Sequence, residues 1–235
     1  MVGHSRGSKA PSLRLRRQDV RFLRRKLVEY SLRSGRTFPW RDSRDPYQSL
    51  VTEVLLRQTA AWKVESAYAA FFKRFPNAVT LGAASIRDIR LLIWSLGLHS
   101  QRAPQLKALG GALTKDFSGS VPLTYEELLE LPGVGPYAAN ALISFTFGRP
   151  RAIVDTNVER VLSRYFGKDR LAKGARKRWS AHAASISLAR SRHQRYNYGL
   201  LDLAADVCKV YTPQCRACPL HSHCKYPRRK GARMA

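Results

Sequence analysis

Asp155 stands where a lone carboxylate could be aimed at a polyanion. Residues 131–157 read LPGVGPYAANALISFTFGRPRAIVDTN. The Gly133-Val134-Gly135 turn sits between two apolar segments and can present backbone N–H groups to an anion, and Asp155 follows about twenty residues later. A second carboxylate, Glu53, lies in the apolar run Leu50 to Leu56, where burial would disfavour its charged form and suit it to donating a proton. Four cysteines, Cys208, Cys215, Cys218 and Cys224, follow the pattern C-x6-C-x2-C-x5-C. Four thiolates this close can surround one compact centre, and thiolates suit zinc or iron–sulfur. Zinc usually takes two C-x-x-C pairs and this array has one, so spacing alone leaves both open. Disulfides belong to secreted chains, and residues 1–36 are basic and polar with no apolar leader.

The charge says what the turn could hold. Lys and Arg number 42 against 16 Asp and Glu, a net +26. Setting aside +8 at residues 1–26 and +5 at residues 225–235 still leaves +13 on the body. A body this basic calls for a nucleic-acid face, with phosphate neutralisation dominating affinity and making it salt-dependent. Apolar residues make up 44% of the 235, enough for a folded core, and no apolar run approaches a membrane span. A cytoplasmic, nucleoid-associated protein that acts as a monomer and has no membrane partner is expected.

Helices must position these groups. Strand-like alternation is nearly absent, while Leu50, Val54, Leu55 and then Val64, Tyr68, Phe71, Phe75 recur at helical spacing. Breakers are expected at Pro39, Pro46, Pro76, Gly97, Pro104, Gly110-Gly111, Pro122, Pro132, Gly148-Arg149-Pro150, Gly167 and Gly174. Thr124 and Glu127 read as a capping box opening a helix that buries Leu128, Leu129 and Leu131. Pro132 stops it, the glycines let the backbone turn, and Pro136 takes a favoured first position in the next helix, whose dipole favours an anion. Asp155 could itself cap the helix it precedes; capping by Thr156 or Asn157 instead would leave it for chemistry.

From Leu131 to Asn157 the chain resembles the helix-hairpin-helix segment of the DNA glycosylase superfamily that includes endonuclease III, MutY and the archaeal thymine mismatch glycosylase. In that family a Gly/Pro-rich loop and a catalytic Asp follow the hairpin; here these fall at Gly148–Arg151 and Asp155. The likeness extends through Phe38-Pro39-Trp40-Arg41, Asp45-Pro46-Tyr47, the run Thr52 to Thr59, Gly97-Leu98 and Gln101-Arg102-Ala103, covering roughly residues 20–226.

The resemblance implies an all-α, two-lobed fold with the DNA groove between the lobes. Residues 36–150 would form a central helical module, and residues 19–35 with 151–226 the second lobe. Residues 1–18 would be a basic flexible arm and 227–235 a basic tail. It implies a [4Fe–4S] cluster on the four cysteines, structural and DNA-contacting, with Lys209, Arg216 and Lys225 placed to touch phosphate and His221 and His223 left as surface groups. It implies that Asp155 stabilises an oxocarbenium-like sugar while positioning water, and that Glu53 lies at the base pocket. Tyr137 occupies the position where endonuclease III-like lyases carry the lysine that forms a Schiff base. A phenol cannot do so, which implies a glycosylase that leaves an abasic site. The substrate would be double-stranded DNA with a mismatched or damaged base, flipped out of the stack. Gly133, Val134 and Gly135 would hold phosphate, Arg57 and Gln58 would fill the gap, Leu98 would probe the opposite strand, and Asn157 would also meet DNA.

Two features favour thymine or uracil opposite guanine. The chain stops about ten residues after Cys224, short of the domain MutY uses to read 8-oxoguanine, and the run Trp94 to Leu106 looks closer to the mismatch thymine enzyme. Glu53, Tyr137, Asp155 and Asn157 are equally compatible with adenine removal. Arg57 stands where MutY-type relatives often have Gln. A noncatalytic DNA-binding or damage-sensing module is a further alternative, which the presence of both carboxylates opposes.

Overall fold

The computed structural model describes residues 15–226. The segments expected as the arm's first fourteen residues and as the tail at 227–235 lie outside them. Every regular element among the described residues is helical. They run α1 (Arg17–Ser34), α2 (Pro39–Asp42), α3 (Pro46–Leu56), α4 (Ala61–Arg74), α5 (Ala78–Ala83), α6 (Ile86–Leu92), α7 (His99–Asp116), α8 (Tyr125–Glu130), α9 (Pro136–Phe145), α10 (Thr156–Phe166), α11 (Lys173–Ser187) and α12 (His193–Asp206).

Short-range chemistry starts most of them. Asp45 accepts the Tyr47 and Gln48 amides at the head of α3, with Pro46 as its first residue. Asn77 and Thr80 form a capping box on α5, and Ser85 caps α6. Thr124 caps α8, but the Glu127 carboxylate accepts from the Thr124 hydroxyl (2.6 Å), a variation on the box expected there. α1 begins at Arg17, two residues inside the segment expected to be an arm.

The described residues divide into two compact units. One comprises Gly35–Ile153 with Arg190–Gln194. Its core joins Leu50, Val54 and Leu55 of α3, Val64 and Phe71 of α4, Leu106, Leu109 and Leu113 of α7, and Leu142 of α9, all at most 1% exposed. Two expected breaks are absent here. Pro104 lies inside α7 on its exposed side, where water can take the carbonyl bond that proline cannot make. Gly110 and Gly111 also stay helical, and Gly110 packs on Gly82 of α5 so closely that a Cβ would lie 2.5 Å from the Gly82 nitrogen. Leu129 is 38% exposed rather than buried, because α8 turns only Leu128 and the following Leu131 inward.

The other unit comprises residues 15–34, Val154–Ala189 and 195–226. Leu23 and Leu27 of α1, Val158 and Leu162 of α10, Trp179 of α11, and Tyr196, Leu200 and Leu203 of α12 form its core. Gly199 lets α12 meet the Leu27 carbonyl, where any Cβ would collide with backbone. Gly174, expected as a breaker, is the second residue of α11. Gly167 does end α10, in left-handed conformation.

Candidate functional site

The hairpin is a turn between α8 and α9. Gly133 has φ of +82°, a conformation that glycine adopts without strain. The Val134 amide donates to the Leu131 carbonyl at 3.1 Å, so it is not one of the bare N–H groups expected of this turn. Gly135 takes the N-cap position of α9 with no side-chain cap, and Ala139 already donates to its carbonyl. Pro136 has no N–H, and the Tyr137 and Ala138 amides lie in the first turn of α9, where the helix's own carbonyls do not reach them. With the helix dipole behind them, they and the Gly135 amide form an anion-binding end.

α3 packs on α9, so Glu53 and Tyr137 sit on neighbouring helices. Both are half-buried, and Glu53 Oε2 is shut away from solvent. Arg57, just past α3, donates from Nη1 to the Gly133 carbonyl (3.1 Å) and to Gln105 Oε1 (3.4 Å). In this structure Arg57 therefore braces the hairpin. Gln58 and Leu98 are exposed and share an unusual backbone, each with φ of +52°. Left-handed conformations are uncommon for residues with a side chain and cost roughly 1–3 kcal/mol unless the surroundings impose them.

In the other unit Asp155 opens α10, and of the two capping arrangements the sequence allows the fold takes the first. Neither Thr156 nor Asn157 caps the helix; Asp155 does. Its backbone is extended at φ −110° and ψ −173°, which makes Thr156 the first helical residue. Asp155 Oδ1 accepts the Asn157 amide (2.9 Å) and the Val158 amide (2.7 Å), while Oδ2 accepts Asn157 Nδ2 (2.9 Å). A carboxylate oxygen has two lone-pair sites, so Oδ1 is filled and Oδ2 keeps one. Capping thus orients the carboxylate without consuming it.

The bond to Asn157 continues inward. Asn157 Oδ1 accepts from Arg160 Nη1 (2.9 Å), and Arg160 donates from Nε to the Cys208 carbonyl (2.8 Å) and from Nη2 to that of Ala204 (3.0 Å). Asp155 and the first cysteine are therefore ends of one hydrogen-bonded chain.

All four cysteines line a single small, partly open hollow with Arg164, Val207, Pro213, Gln214, His221 and Tyr226. None forms a disulfide, and no set of three or more His, Cys, Asp or Glu among the described residues is grouped to hold a metal ion. Burial pushes the Cys218 thiol up to about 12 and Cys224 up to about 11. The Arg164 guanidinium offsets part of this at Cys224, and it donates to Cys208 Sγ (3.5 Å) and to the Lys209 and Val210 carbonyls. Four thiols facing one hollow beside a guanidinium suit a thiolate-ligated, negatively charged centre.

His223 is not the surface group expected. It stacks on Phe22 (3.9 Å between ring centroids), its Nδ1 lies 3.2 Å from Asp19 Oδ1, and Lys225 Nζ is 3.4 Å from Asp19 Oδ2. Tyr211 and Val210, between Cys208 and Cys215, are exposed. Two arginines that composition did not single out carry much of this geometry, Arg160 and Arg102. Arg102 left a trace: it shares the buried stripe of α7 with Leu106, Leu109 and Leu113, an odd place for a charge.

Residues 51–181 match the family described as HhH-GPD superfamily base excision DNA repair protein. A thymine-DNA glycosylase of Aeropyrum pernix is 36% identical over 88% of this chain and 95% of that protein. An adenine DNA glycosylase of Buchnera aphidicola is 35% identical over 81% of this chain, but over only 54% of its own length. A solved thermostable thymine-DNA glycosylase superposes with a TM-score of 0.84 at 33% identity, covering 90% of this chain and 98% of that one.

Proposed function

From the premise that this chain belongs to the HhH-GPD superfamily of base excision DNA repair proteins, we propose that it is a monofunctional mismatch DNA glycosylase acting on thymine or uracil opposite guanine. The observation that carries the choice of base is likeness to a thymine-DNA glycosylase along nearly that protein's whole length, in sequence and in fold. Uracil differs from thymine by one methyl group, and a pocket that accepts the larger base discriminates weakly against the smaller.

The family resemblance, together with each residue's surroundings, supports the following parts. The anion-binding end at Gly135 and the first turn of α9 takes one DNA phosphate, with Gly133 and Val134 shaping the turn that presents it. Gln58 and Leu98 enter the duplex as the target base leaves it. Glu53 meets the extruded base, hydrogen-bonding it or placing water, and Tyr137 stacks or bonds beside it. Asp155 faces the sugar, where negative charge stabilises the oxocarbenium-like state formed as the C–N bond breaks, and the remaining Oδ2 lone pair can orient the attacking water. Asn157 holds that carboxylate. Tyr137 offers no amine, so no Schiff base forms and the strand stays intact.

Cys208, Cys215, Cys218 and Cys224 would hold a [4Fe–4S] cluster. Its contribution when bound is to order the 208–224 loop, which presents Lys209 and Arg216 for phosphate. The donor set and the adjoining Arg164 support this, and broad visible absorbance in purified protein, lost in Cys218→Ser, is the expected sign.

The deciding assay uses duplexes carrying T·G, U·G and A·G mismatches, heated in alkali to reveal abasic sites. Alkali-dependent cleavage at T·G and U·G is expected. Preferential cleavage at A·G would move the protein to the adenine enzymes. Cleavage without alkali would remove the monofunctional assignment, and no product on any mismatch or lesion would leave a DNA-binding module.

A further inference from the structure

Arg102 is 3% exposed, and the partners recorded for its guanidinium are backbone carbonyls and a hydroxyl rather than carboxylates. Nη1 donates to the Gly97 carbonyl at 3.0 Å; Nη2 donates to the Arg57 carbonyl at 2.6 Å and to Thr59 Oγ1 at 3.0 Å. Thr59 Oγ1 in turn lies 3.2 Å from the Leu96 carbonyl. Burying a guanidinium is expensive, so a site that keeps one is using its geometry.

The bonded carbonyls identify that use. Arg57 immediately precedes Gln58 and Gly97 immediately precedes Leu98, two of the three exposed non-glycine residues with φ of +52°; the third, Ser118, lies past the far end of α7. One planar fork therefore fixes the peptide plane that enters each strained residue. The loops are about forty residues apart in sequence.

We infer that Arg102 is a positioning residue that locks Gln58 and Leu98 together as one rigid double wedge, so both strands are engaged in the same docking event. This rests on the proposed role of Gln58 and Leu98 in the duplex. Arg102 touches no DNA; it acts through the two loops, and its contribution is confined to opening the base pair. A lysine cannot replace it, because a single ammonium lacks the fork that spans acceptors on two loops.

The test compares single-turnover excision by wild type, Arg102→Lys, Leu98→Ala and the double variant. The two substrates are a T·G duplex and a duplex whose target thymine faces an abasic site, already unpaired. Arg102→Lys should slow T·G excision by about tenfold or more, since small misplacements of positioning groups carry large rate penalties. On the unpaired target the defect should shrink to within about threefold. The double variant should be slowed on T·G by clearly less than the product of the two single defects, because both changes act on the same wedge. A fluorescent base analogue beside the target should show weaker unstacking on binding by Arg102→Lys.

Equal slowing on both substrates, or defects that multiply in the double variant, would overturn the clamp and leave Arg102 a fold-stabilising residue. If Leu98→Ala and Gln58→Ala each leave T·G excision unchanged, the wedge role fails and the clamp falls with it. Should Arg102→Lys prove too unstable, Thr59→Val offers a second route. It removes one guanidinium acceptor at the Gln58 loop and should reproduce the substrate-dependent defect in weaker form.

Discussion

Replacing Asp155 with asparagine separates two jobs of one side chain, starting α10 and carrying negative charge. Asparagine caps helices about as well as aspartate, and its oxygen can still accept the Asn157 and Val158 amides now bound to Oδ1. The difficulty lies at the other atom. Oδ2 accepts Asn157 Nδ2, and an amide nitrogen placed there would confront a second donor. Rotating the Asn157 amide resolves that conflict but gives up its bond from Arg160, a net loss of about 1 kcal/mol. Asp155→Asn should therefore lower Tm by roughly 2–4 °C. Asp155→Ala loses the cap and the Asn157 bond, about 2 kcal/mol, and should lower Tm by roughly 4–8 °C. Activity should follow charge instead. Removing one pre-oriented electrostatic group costs on the order of 10²–10³ in rate, so both variants should fall by at least that much on T·G. Single-turnover excision and thermal unfolding, measured on the same preparations, decide it. If Asp155→Asn excises within about threefold of the wild-type rate, or activity declines in step with Tm across the two variants, the carboxylate's role is the cap alone.

Other expectations follow from specific contacts. Arg160→Ala removes bonds to Asn157, Cys208 and Ala204 and should cost about 3 kcal/mol, a fall in Tm of roughly 6–12 °C measurable by calorimetry. Gly110→Ala puts a Cβ against the Gly82 backbone and should destabilise by about 3 kcal/mol or more, whereas Gly111→Ala meets nothing within 4 Å and should be neutral or stabilising by up to about 1 kcal/mol in urea titrations. Burial raises the phenols of Tyr47, Tyr165 and Tyr196 well above their ordinary value of 10.0. Their contribution to stability is complete below about pH 10 and is lost as pH climbs toward the folded values. Phenolate absorbance for these three should appear together with cooperative alkaline unfolding; smooth titration in the folded state would contradict their burial.

The groups proposed to bear chemistry were readable as text because their logic is short-range. A glycine turn before Pro136, a carboxylate at a helix start and four cysteines within one short loop each declare themselves over a few residues. The all-helical architecture followed from spacing in the same way. Even locally there were limits. Asp155 rather than Thr156 or Asn157 became the cap because the chain is still extended at Asp155, a backbone choice that Asp, Thr and Asn side chains all permit. Pro104 and Gly110 read as breaks, yet packing of α7 on its neighbours keeps both helical, one facing out and the other against Gly82. Arg102 and Arg160 acquire meaning only when partners 45 and 48 residues away come within hydrogen-bond reach. A guanidinium donates to whichever carbonyls surround it, and only the folded chain brings those carbonyls to it.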